Sequence, residues 1–567
     1  MRWTLKPPPD PEKTQRLSAE LGIDDNLAGL LVQRGVDAFA KARSYFRPSL
    51  EELHDPFLMK DMDVAVKRIQ KAVGENENIL VYGDYDVDGT TSVALMTTFL
   101  QSFYPNVSSY IPDRYTEGYG VSYQGIDYAH DNGFALVIAL DCGIKAIDKV
   151  AYAKEKGIDF VICDHHRPGK NIPDAVAVLD PKRIDCSYPY DELCGCGVGF
   201  KLCQAITEAN EWEFEILIPY LDLVATAIGA DIVPITGENR ILAYHGLNVI
   251  NESPRAGFKA IIDQLKKDKL TITDVVFIIA PRINAAGRMK HGLHSVELLT
   301  ATEMESAKQF AIEIENYNAD RRETDRNITR EALDQILDNK EEECFSTVVF
   351  DPTWHKGVIG IVASRLTETY YRPTLVFTKS GDRLAASARS VTGYDVYDAL
   401  EQCSEFIEQF GGHKYAAGLT LEEKNFSAFK ARFEEVVCAT IQSKHTVPEL
   451  RIDRKLSLDA VTPKFFRILE QMAPFGPGNM RPVFMTDKVI DTGYGKCVGK
   501  EEEHLKIKVA KDKKDLNGFN AIGFNLGDKC NLITDGKEFD IAYSLDLNEW
   551  QGVKSIQLRL RGIKESS

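Results

Sequence analysis

The sequence predicts a multidomain α/β protein in which a parallel-sheet domain, a long connecting helix and a second α/β domain precede a carboxyl-terminal β-barrel. Three observations support this prediction. Short apolar strands alternate with helical segments between about residues 78 and 187, a long polar segment with few helix breakers ends near residue 340, and the last part of the chain contains strictly alternating strands. At 567 residues the chain is too long for one core, and roughly three to five domains are expected.

The first predicted sheet consists of short strands that are apolar along their whole length. Their alternation with helices indicates a parallel sheet covered on both faces. In such sheets the chemistry is expected at the carboxyl ends of the strands. The predicted strands are Asn78–Tyr82, Ala135–Leu140, Asp159–Cys163 and Ala175–Leu179, and the predicted helices are Thr90–Phe103 and Lys145–Lys156.

The rest of the chain changes character twice. Residues 221–340 are mainly helical and end in the polar segment Glu305–Leu337, which is typical of a solvated helix that separates two lobes. A second α/β unit begins with the apolar strand Ser346–Phe350 and extends to about residue 443. Beyond it, His504–Val509 and Ile556–Arg561 alternate apolar and polar residues, which indicates half-buried antiparallel strands of a small β-barrel.

Composition excludes several classes of protein. The net charge of −17 argues against sequence-independent adhesion to nucleic acid or to an anionic membrane, although it leaves room for a local basic channel. No apolar run of about 20 residues is present, so no membrane association is expected. The first residues lack the apolar stretch of a secretory signal, which predicts a cytoplasmic protein. The 11 cysteines form no Cys-x-x-Cys pair and are all expected to be reduced.

An acidic motif, Gly83-Asp84-Tyr85-Asp86-Val87-Asp88-Gly89, follows the first predicted strand. If the backbone is extended there, the three carboxylates share one face and need a cation between them. An EF-hand loop is the main alternative, but it requires a preceding helix and a Glu at its twelfth position, where this chain has Leu95. A divalent-metal site is therefore favoured over that loop and over a purely structural turn.

Two further strand ends carry matching ligand types. One strand ends at Asp141 and the next at Asp164-His165-His166, and Asp231 adds a carboxylate that is equally compatible with a helix cap. Several carboxylates with one or two histidines form a hard site suited to Mn²⁺ or Mg²⁺. The ligands suffice for two ions bridged by one carboxylate, which predicts hydrolysis of a phosphoester or phosphoanhydride.

These motifs resemble the DHH phosphoesterase superfamily, which is named for the triplet found here as Asp164-His165-His166, and within it the bacterial single-strand-specific exonucleases. The resemblance covers most of the chain from about Leu80 onward. Further matching motifs are Ile111–Gly120, Asp180–Cys186, Ala280–Arg288, Phe410–Gly418 and Pro474–Asn479.

The resemblance implies five segments. They are a helical or extended amino-terminal segment at 1–70, a DHH phosphoesterase domain with a helical extension at 71–300, a connecting helix at 301–340, a DHH-associated α/β domain at 341–445 and a nucleic-acid-binding OB-fold at 446–567.

The implied activity is a 5′-to-3′ exonuclease that releases nucleotides from single-stranded DNA with two Mn²⁺ or Mg²⁺ ions, in DNA repair and recombination. The implied catalytic residues are Asp141, His165 and His166, with Asp141 as the bridging ligand and His166 facing the scissile phosphate. The implied metal-site residues are Asp84, Asp86, Asp88, Asp141, His165 and Asp231. Which of the first three acids bind metal directly stays open, because an Asp can also support a neighbouring ligand.

The resemblance also implies a set of contacts to phosphate or nucleic acid: Arg114, Arg282, Asn284, Ser387, Arg389, Gly412 and His413. Planar guanidinium groups suit phosphate oxygens. Two departures from the family pattern stand out. Ala386 and Ala388 replace glycines beside Ser387, and Tyr82 stands where many relatives have His.

Two alternative functions stay open. One is a DHH-type phosphodiesterase that acts on short oligonucleotides or cyclic dinucleotides. The other is a catalytically inactive nucleic-acid-binding scaffold, against which the retained acids and histidines count. The expected partners of the exonuclease are single-stranded DNA, a helicase and a single-strand-binding protein, and the resemblance implies a monomer.

Overall fold

The computed structural model describes residues 1–512 and 518–566, apart from the side chains at 534 and 535. The chain forms two compact units. One comprises Met1–His54, Ile232–His245 and Glu449–Ser567, and the other comprises Asp55–Asp231 and Gly246–Pro448. No helix in the described part of the chain has both the length and the apolar character of a membrane span.

Nineteen strands and nineteen α-helices are assigned in the described residues. The strands are β1 (Arg2–Leu5), β2 (Asn78–Gly83), β3 (Val107–Tyr110), β4 (Phe134–Leu140), β5 (Asp159–Cys163), β6 (Ala177–Leu179), β7 (Thr347–Phe350), β8 (Thr374–Ser380), β9 (Arg383–Arg389), β10 (Gln409–His413), β11 (Ala416–Leu421), β12 (Glu449–Ile452), β13 (Arg454–Lys455), β14 (Phe484–Asp491), β15 (Lys496–Val498), β16 (His504–Ala510), β17 (Phe519–Gly523), β18 (Phe539–Trp550) and β19 (Val553–Glu565).

The helices are α1 (Pro11–Leu21), α2 (Asp25–Gln33), α3 (Phe39–Phe46), α4 (Met62–Gly74), α5 (Val87–Gln101), α6 (Tyr123–Asp131), α7 (Ile147–Glu155), α8 (Gly195–Ala209), α9 (Leu221–Ala230), α10 (Gly237–Glu252), α11 (Ala256–Ile262), α12 (Ile272–Asp274), α13 (Ala280–Met289), α14 (Leu293–Thr300), α15 (Met304–Asp338), α16 (Ile359–Tyr370), α17 (Val396–Glu401), α18 (Phe426–Thr440) and α19 (Pro463–Glu470).

The predicted parallel sheet is confirmed, with the strand order β3-β2-β4-β5-β6. All four pairings are parallel, and β2, β4 and β5 are buried along most of their length. The edge strand β3 was not predicted, because Ser108 and Ser109 interrupt its apolar pattern.

The long polar segment forms α15, a single helix of 35 residues. Beyond it lies a second sheet with the order β10-β11-β9-β8-β7, in which only β7 and β8 are parallel. Its core includes Phe377, Phe429 and Phe433. The predicted second α/β domain is therefore present.

The other unit contains the predicted barrel. Its sheet has the order β13-β14-β18-β19-β17-β16-β15, and β14 also pairs with β16. The ring is therefore closed by five strands, β14, β18, β19, β17 and β16. The strand β1 pairs in parallel with β12, which joins the first residues of the sequence to the segment that begins at Glu449 within this unit.

One prediction about the cysteines is wrong. Cys497 on β15 and Cys530 in a 3₁₀ segment are joined by a disulfide, with their Cα atoms 6.4 Å apart. The fold brings two thiols together that are 33 residues apart in sequence, and their spacing alone carries no signal of this pairing.

Candidate metal centre

The carboxyl ends of β2, β4 and β5 lie level at one edge of the parallel sheet. Gly83 is paired with Leu140, and Leu140 is paired with Cys163. The next residue of each strand is an acid, namely Asp84, Asp141 and Asp164. This register places the three predicted ligand segments side by side.

The acidic motif is not extended, and the prediction that its three carboxylates share one face of a strand is wrong. Helix α5 begins at Val87, and the Asp86 carboxylate caps it by accepting a hydrogen bond from the Gly89 amide at 3.0 Å. Asp88 therefore lies in the first helical turn. An Asp at a helix N-cap satisfies amides that have no partner within the helix, which explains the turn.

The imidazole of His165 lies among three carboxylates. Its Nε2 atom is 3.2 Å from Oδ1 of Asp141, 3.7 Å from Oδ2 of Asp231 and 3.8 Å from Oδ2 of Asp88. Potential ligand atoms form two groups that share this histidine, one with Asp141 and His166 and one with Asp88 and Asp231. Two adjacent metal ions, one in each group and both next to His165, would fit this arrangement.

The amino terminus of α8 holds two of the acids in place. The amides of Gly195 and Cys196 donate to the Asp88 carboxylate at 2.7 and 2.8 Å. Gly195 also allows the close approach of Asp141, because a Cβ atom at position 195 would lie only 2.6 Å from Cβ of Asp141. Asp141 itself adopts a φ of +57°, a conformation that Asp tolerates better than most residues.

Burial and mutual repulsion raise the pKa values of the clustered acids. Burial and the neighbouring Asp86 raise the pKa of Asp84 to about 8 and that of Asp88 to about 7. Burial and Asp88 raise the pKa of Asp231 to about 8 and lift that of Asp141 well above its usual range. Burial, followed by the charge of His166, lowers the pKa of His165 to about 3. Neutral imidazole is the form that binds metals.

The donor set fits divalent cations. Oδ2 of Asp84 and Oδ1 of Asp141 are buried and accept no hydrogen bond within the described residues. Buried carboxylate oxygens without a donor are costly unless a cation approaches them. Four or more carboxylates with one neutral imidazole are donors that suit Mn²⁺ or Mg²⁺.

His166 is held by partners at both ring nitrogens. Its Nδ1 atom lies 2.7 Å from Oδ1 of Asp164, and its Nε2 atom lies 3.2 Å from the Tyr119 hydroxyl. Asp164 also accepts the amides of His165, His166 and Ile144. Burial acts to raise the pKa of Asp164, but these hydrogen bonds outweigh it and lower the pKa to about 2.

A group of arginines lies close to the acids. Arg114 stacks over the Tyr85 ring at 4.0 Å, and its Nε atom has no hydrogen-bond partner among the described residues. Arg389 donates to the Ser387 hydroxyl at 3.1 Å. Burial and the charges of Arg114, Arg321 and Arg389 lower the pKa of Arg288 to about 10. Clustered guanidinium groups of this kind suit a phosphate.

The other predicted contacts differ in their surroundings. Arg282 forms an ion pair with Glu315 on α15 at 2.7 Å, whereas the buried Oδ1 atom of Asn284 accepts no hydrogen bond in the described structure. Gly412 has a φ of +147°, and a Cβ atom there would lie 2.4 Å from the Ala416 carbonyl oxygen, so the β10–β11 hairpin requires glycine. His413, the last residue of β10, is exposed, and burial followed by the charge of Lys145 lowers its pKa.

Sequence reasoning left three residues of this region out of the predicted site. Asp164 is the first residue of the triplet, and its role as a shared hydrogen-bond acceptor is visible only in the structure. Arg288 closes the same motif that contains Arg282. Gly195 begins a helix, and its contact with Asp141 involves residues 54 positions apart in sequence, for which no local signal exists.

Three domain families match the chain. Residues 78–228 match the DHH family, N-terminal domain, residues 341–439 match the DHHA1 domain, and residues 452–562 match the RecJ OB domain. Together these matches cover the parallel sheet, the second sheet and the barrel.

Full-length relatives agree with this division. The single-stranded-DNA-specific exonuclease RecJ of Bacillus subtilis is 34% identical over 99% of this chain and 70% of its own length. The protein of that name from Escherichia coli is 34% identical over 89% of this chain and 90% of its own length.

A crystal structure of RecJ from Thermus thermophilus in complex with Mn²⁺ has a TM-score of 0.86 and 26% identity, and it covers 100% of this chain and 80% of the other. The same protein in complex with Mg²⁺ gives a TM-score of 0.81 at 25% identity. The fold, the domain matches and the full-length relatives together show that this chain belongs to the RecJ family of single-stranded-DNA-specific exonucleases.

Proposed function

We propose that the protein is a metal-dependent exonuclease that hydrolyses single-stranded DNA in the 5′-to-3′ direction and releases nucleotides during DNA repair and recombination. One observation carries the proposal. A single imidazole, that of His165, lies within 3.2 to 3.8 Å of carboxylates from three separate segments of the chain. Such convergence of ligand types at one sheet edge has a functional explanation and no evident structural one.

The metal-site residues would be Asp84, Asp86, Asp88, Asp141, His165 and Asp231, with Mn²⁺ or Mg²⁺ as the ions. Asp141 belongs to one ligand group and contacts the histidine shared with the other, which supports its role as the bridge. Two bound divalent ions supply an activated water and neutralise charge on the phosphate. Asp164 fixes the ring of His166, and the His166 side chain is proposed to face the scissile phosphate.

The phosphate-binding side of the site would consist of Arg114, Ser387 and Arg389, with Arg282, Asn284, Gly412 and His413 as further proposed contacts. The first three are supported by the Arg389–Ser387 hydrogen bond and by the Nε atom of Arg114, which has no hydrogen-bond partner in the part of the chain that the structure describes. The ion pair between Arg282 and Glu315 gives that arginine a second, structural role. Arg288 is added to the proposed contacts, because its guanidinium lies among the other arginines.

The barrel offers a separate surface for the strand. A cavity of about 870 Å³ is lined by Lys496, Lys506, Lys508 and Asn520 together with the glycines around Tyr494. Tyr494 is 73% exposed. Basic side chains beside an exposed aromatic ring are typical of OB-folds that bind single-stranded nucleic acid.

End-labelled DNA tests the proposal directly. Single strands labelled at the 5′ or 3′ end, and matching duplexes, are incubated with Mn²⁺, Mg²⁺ or chelator and resolved by length over time. We expect immediate loss of the 5′ label as mononucleotide, progressive shortening of the 3′-labelled strand, and no reaction with chelator. The Asp141→Asn variant should be inactive although folded. Cleavage from the 3′ end, or full activity in chelator, would contradict the proposal.

The phosphodiesterase alternative is separated by substrate length. Initial rates on a long single strand and on dinucleotides distinguish the two, and the proposal requires the long strand to be preferred. An inactive scaffold would bind the strand without releasing nucleotides.

We further propose that the protein is a cytoplasmic monomer that works with a helicase and a single-strand-binding protein, and that residues 1–70, 71–300, 301–340, 341–445 and 446–567 form its functional segments. Size-exclusion chromatography with light scattering tests the monomeric state. Pull-down with a purified helicase and a purified single-strand-binding protein tests the partners. Limited proteolysis tests the boundaries.

A further inference from the structure

The hydroxyl of Tyr119 lies within hydrogen-bond distance of a ring nitrogen of His166 that could otherwise coordinate a metal ion. Oη of Tyr119 lies 3.2 Å from Nε2 of His166 and 3.4 Å from the carbonyl oxygen of Asp141. The tyrosine ring meets the imidazole edge-on, with the ring centroids 6.0 Å apart. Tyr119 is nevertheless 55% exposed, so its position does not follow from burial in a core.

His166 lies within reach of the proposed metal ligands. One ligand atom each from His166, Asp141 and His165 lies within 4.8 Å of the others, which is close enough for a common ion. The Nδ1 atom of His166 is committed to Asp164 at 2.7 Å. Only Nε2 therefore remains for a metal, and Tyr119 contacts that same atom.

We propose that Tyr119 is a positioning residue that holds Nε2 of His166 in a hydrogen bond and thereby keeps this imidazole out of the metal coordination shell. This inference rests on the proposed function. Asp164 and Tyr119 together fix the ring from both sides, whichever atom carries the shared proton. The metal centre then keeps mostly oxygen donors and one imidazole, which favours Mn²⁺ and Mg²⁺ over Zn²⁺. His166 stays available for the substrate.

The Tyr119→Phe variant removes the hydroxyl and keeps the aromatic ring. Pulsed electron paramagnetic resonance of the Mn²⁺-loaded protein counts coordinated imidazole nitrogens. We expect one imidazole in the unmodified protein and two in Tyr119→Phe, and the second should disappear in the double variant Tyr119→Phe/His166→Gln. Affinity for Zn²⁺ should rise about tenfold relative to Mg²⁺, in line with the effect of residues that orient metal ligands.

Kinetics provide a second readout. Turnover of single-stranded DNA by Tyr119→Phe should fall at least about tenfold with little change in KM, because an imidazole recruited by the metal no longer faces the substrate. Tyr123→Phe is the matched control. Tyr123 lies nearby in sequence, is exposed, and contacts Tyr152 rather than the acids.

The outcomes separate this inference from the proposed function. One coordinated imidazole in both proteins, with equal Zn²⁺ affinity, would overturn the role of Tyr119. An unmodified protein whose Mn²⁺ has no imidazole ligand would instead overturn the metal centre itself, and the inference with it.

Discussion

Replacement of Gly195 by alanine should damage the metal centre without unfolding the protein. The added Cβ atom would lie 2.6 Å from Cβ and 2.8 Å from Oδ1 of Asp141. Carbon atoms in contact prefer a separation of at least about 3.5 Å, so Asp141 or helix α8 must move by about 0.9 Å. Because the Gly195 amide also binds Asp88 at 2.7 Å, movement of the helix displaces a second acid.

A displacement of about 1 Å in a catalytic group commonly reduces the rate about 100-fold, which corresponds to about 2.7 kcal/mol in the activation barrier. The added methyl group should also lower the free energy of unfolding by about 1 to 3 kcal/mol, which leaves the protein folded. Nucleotide release from a labelled single strand at saturating Mn²⁺ measures the first effect, and thermal unfolding measures the second.

The matched control is Gly74→Ala. Gly74 ends helix α4 in the same unit, and a Cβ atom there would meet nothing within 4 Å. This variant should keep full activity. A Gly195→Ala protein that retains at least a third of the normal rate would refute the argument that Asp141 requires this close approach.

Three other outcomes are expected. In chelator, unfolding free energy should fall as the pH rises from about 4 to about 8, because the folded acids keep protons that the unfolded chain has already lost, and this advantage ends once the folded acids ionise at about pH 7 to 8. Mn²⁺ should restore thermal stability at the higher pH, and a melting temperature that does not change with pH would contradict this reasoning. Asp164→Asn should lower turnover at least about tenfold, because the carboxylate that holds Nδ1 of His166 is lost. Calorimetry should show that the affinity for metal is retained. Arg389→Lys should raise KM for single strands about tenfold, because lysine lacks the guanidinium fork, and an unaltered KM would remove Arg389 from the site.

The parallel sheet could be predicted because its central strands are buried on both faces and therefore apolar throughout. The backbone of the acidic motif could not be predicted. Alternating acids suit a strand, but Asp86 caps α5, and Asp88 contacts amides of α8 that lie more than 100 residues away in sequence. The candidate ligands were identified by residue type, whereas their mutual geometry depends on tertiary contacts.

The arginines show the same limit. Arg282 and Arg288 lie six residues apart in one motif and on one helix, and either could have been chosen as a phosphate contact. Glu315 on α15 pairs with the first, whereas the second lies among other guanidinium groups. Such a choice depends on a distant helix, which no local pattern reveals.

The pairing of β1 with β12 affects how the chain is made. Arg2 and Glu449, which lie opposite each other in this pairing, are separated by 447 positions. At about 5 to 20 residues per second, the first strand leaves the ribosome roughly 20 to 90 s before its partner is synthesised. The unit that contains Asp55–Asp231 can begin to fold during this interval, whereas the amino-terminal segment must wait. Newly made chains therefore expose an unpaired strand throughout this interval.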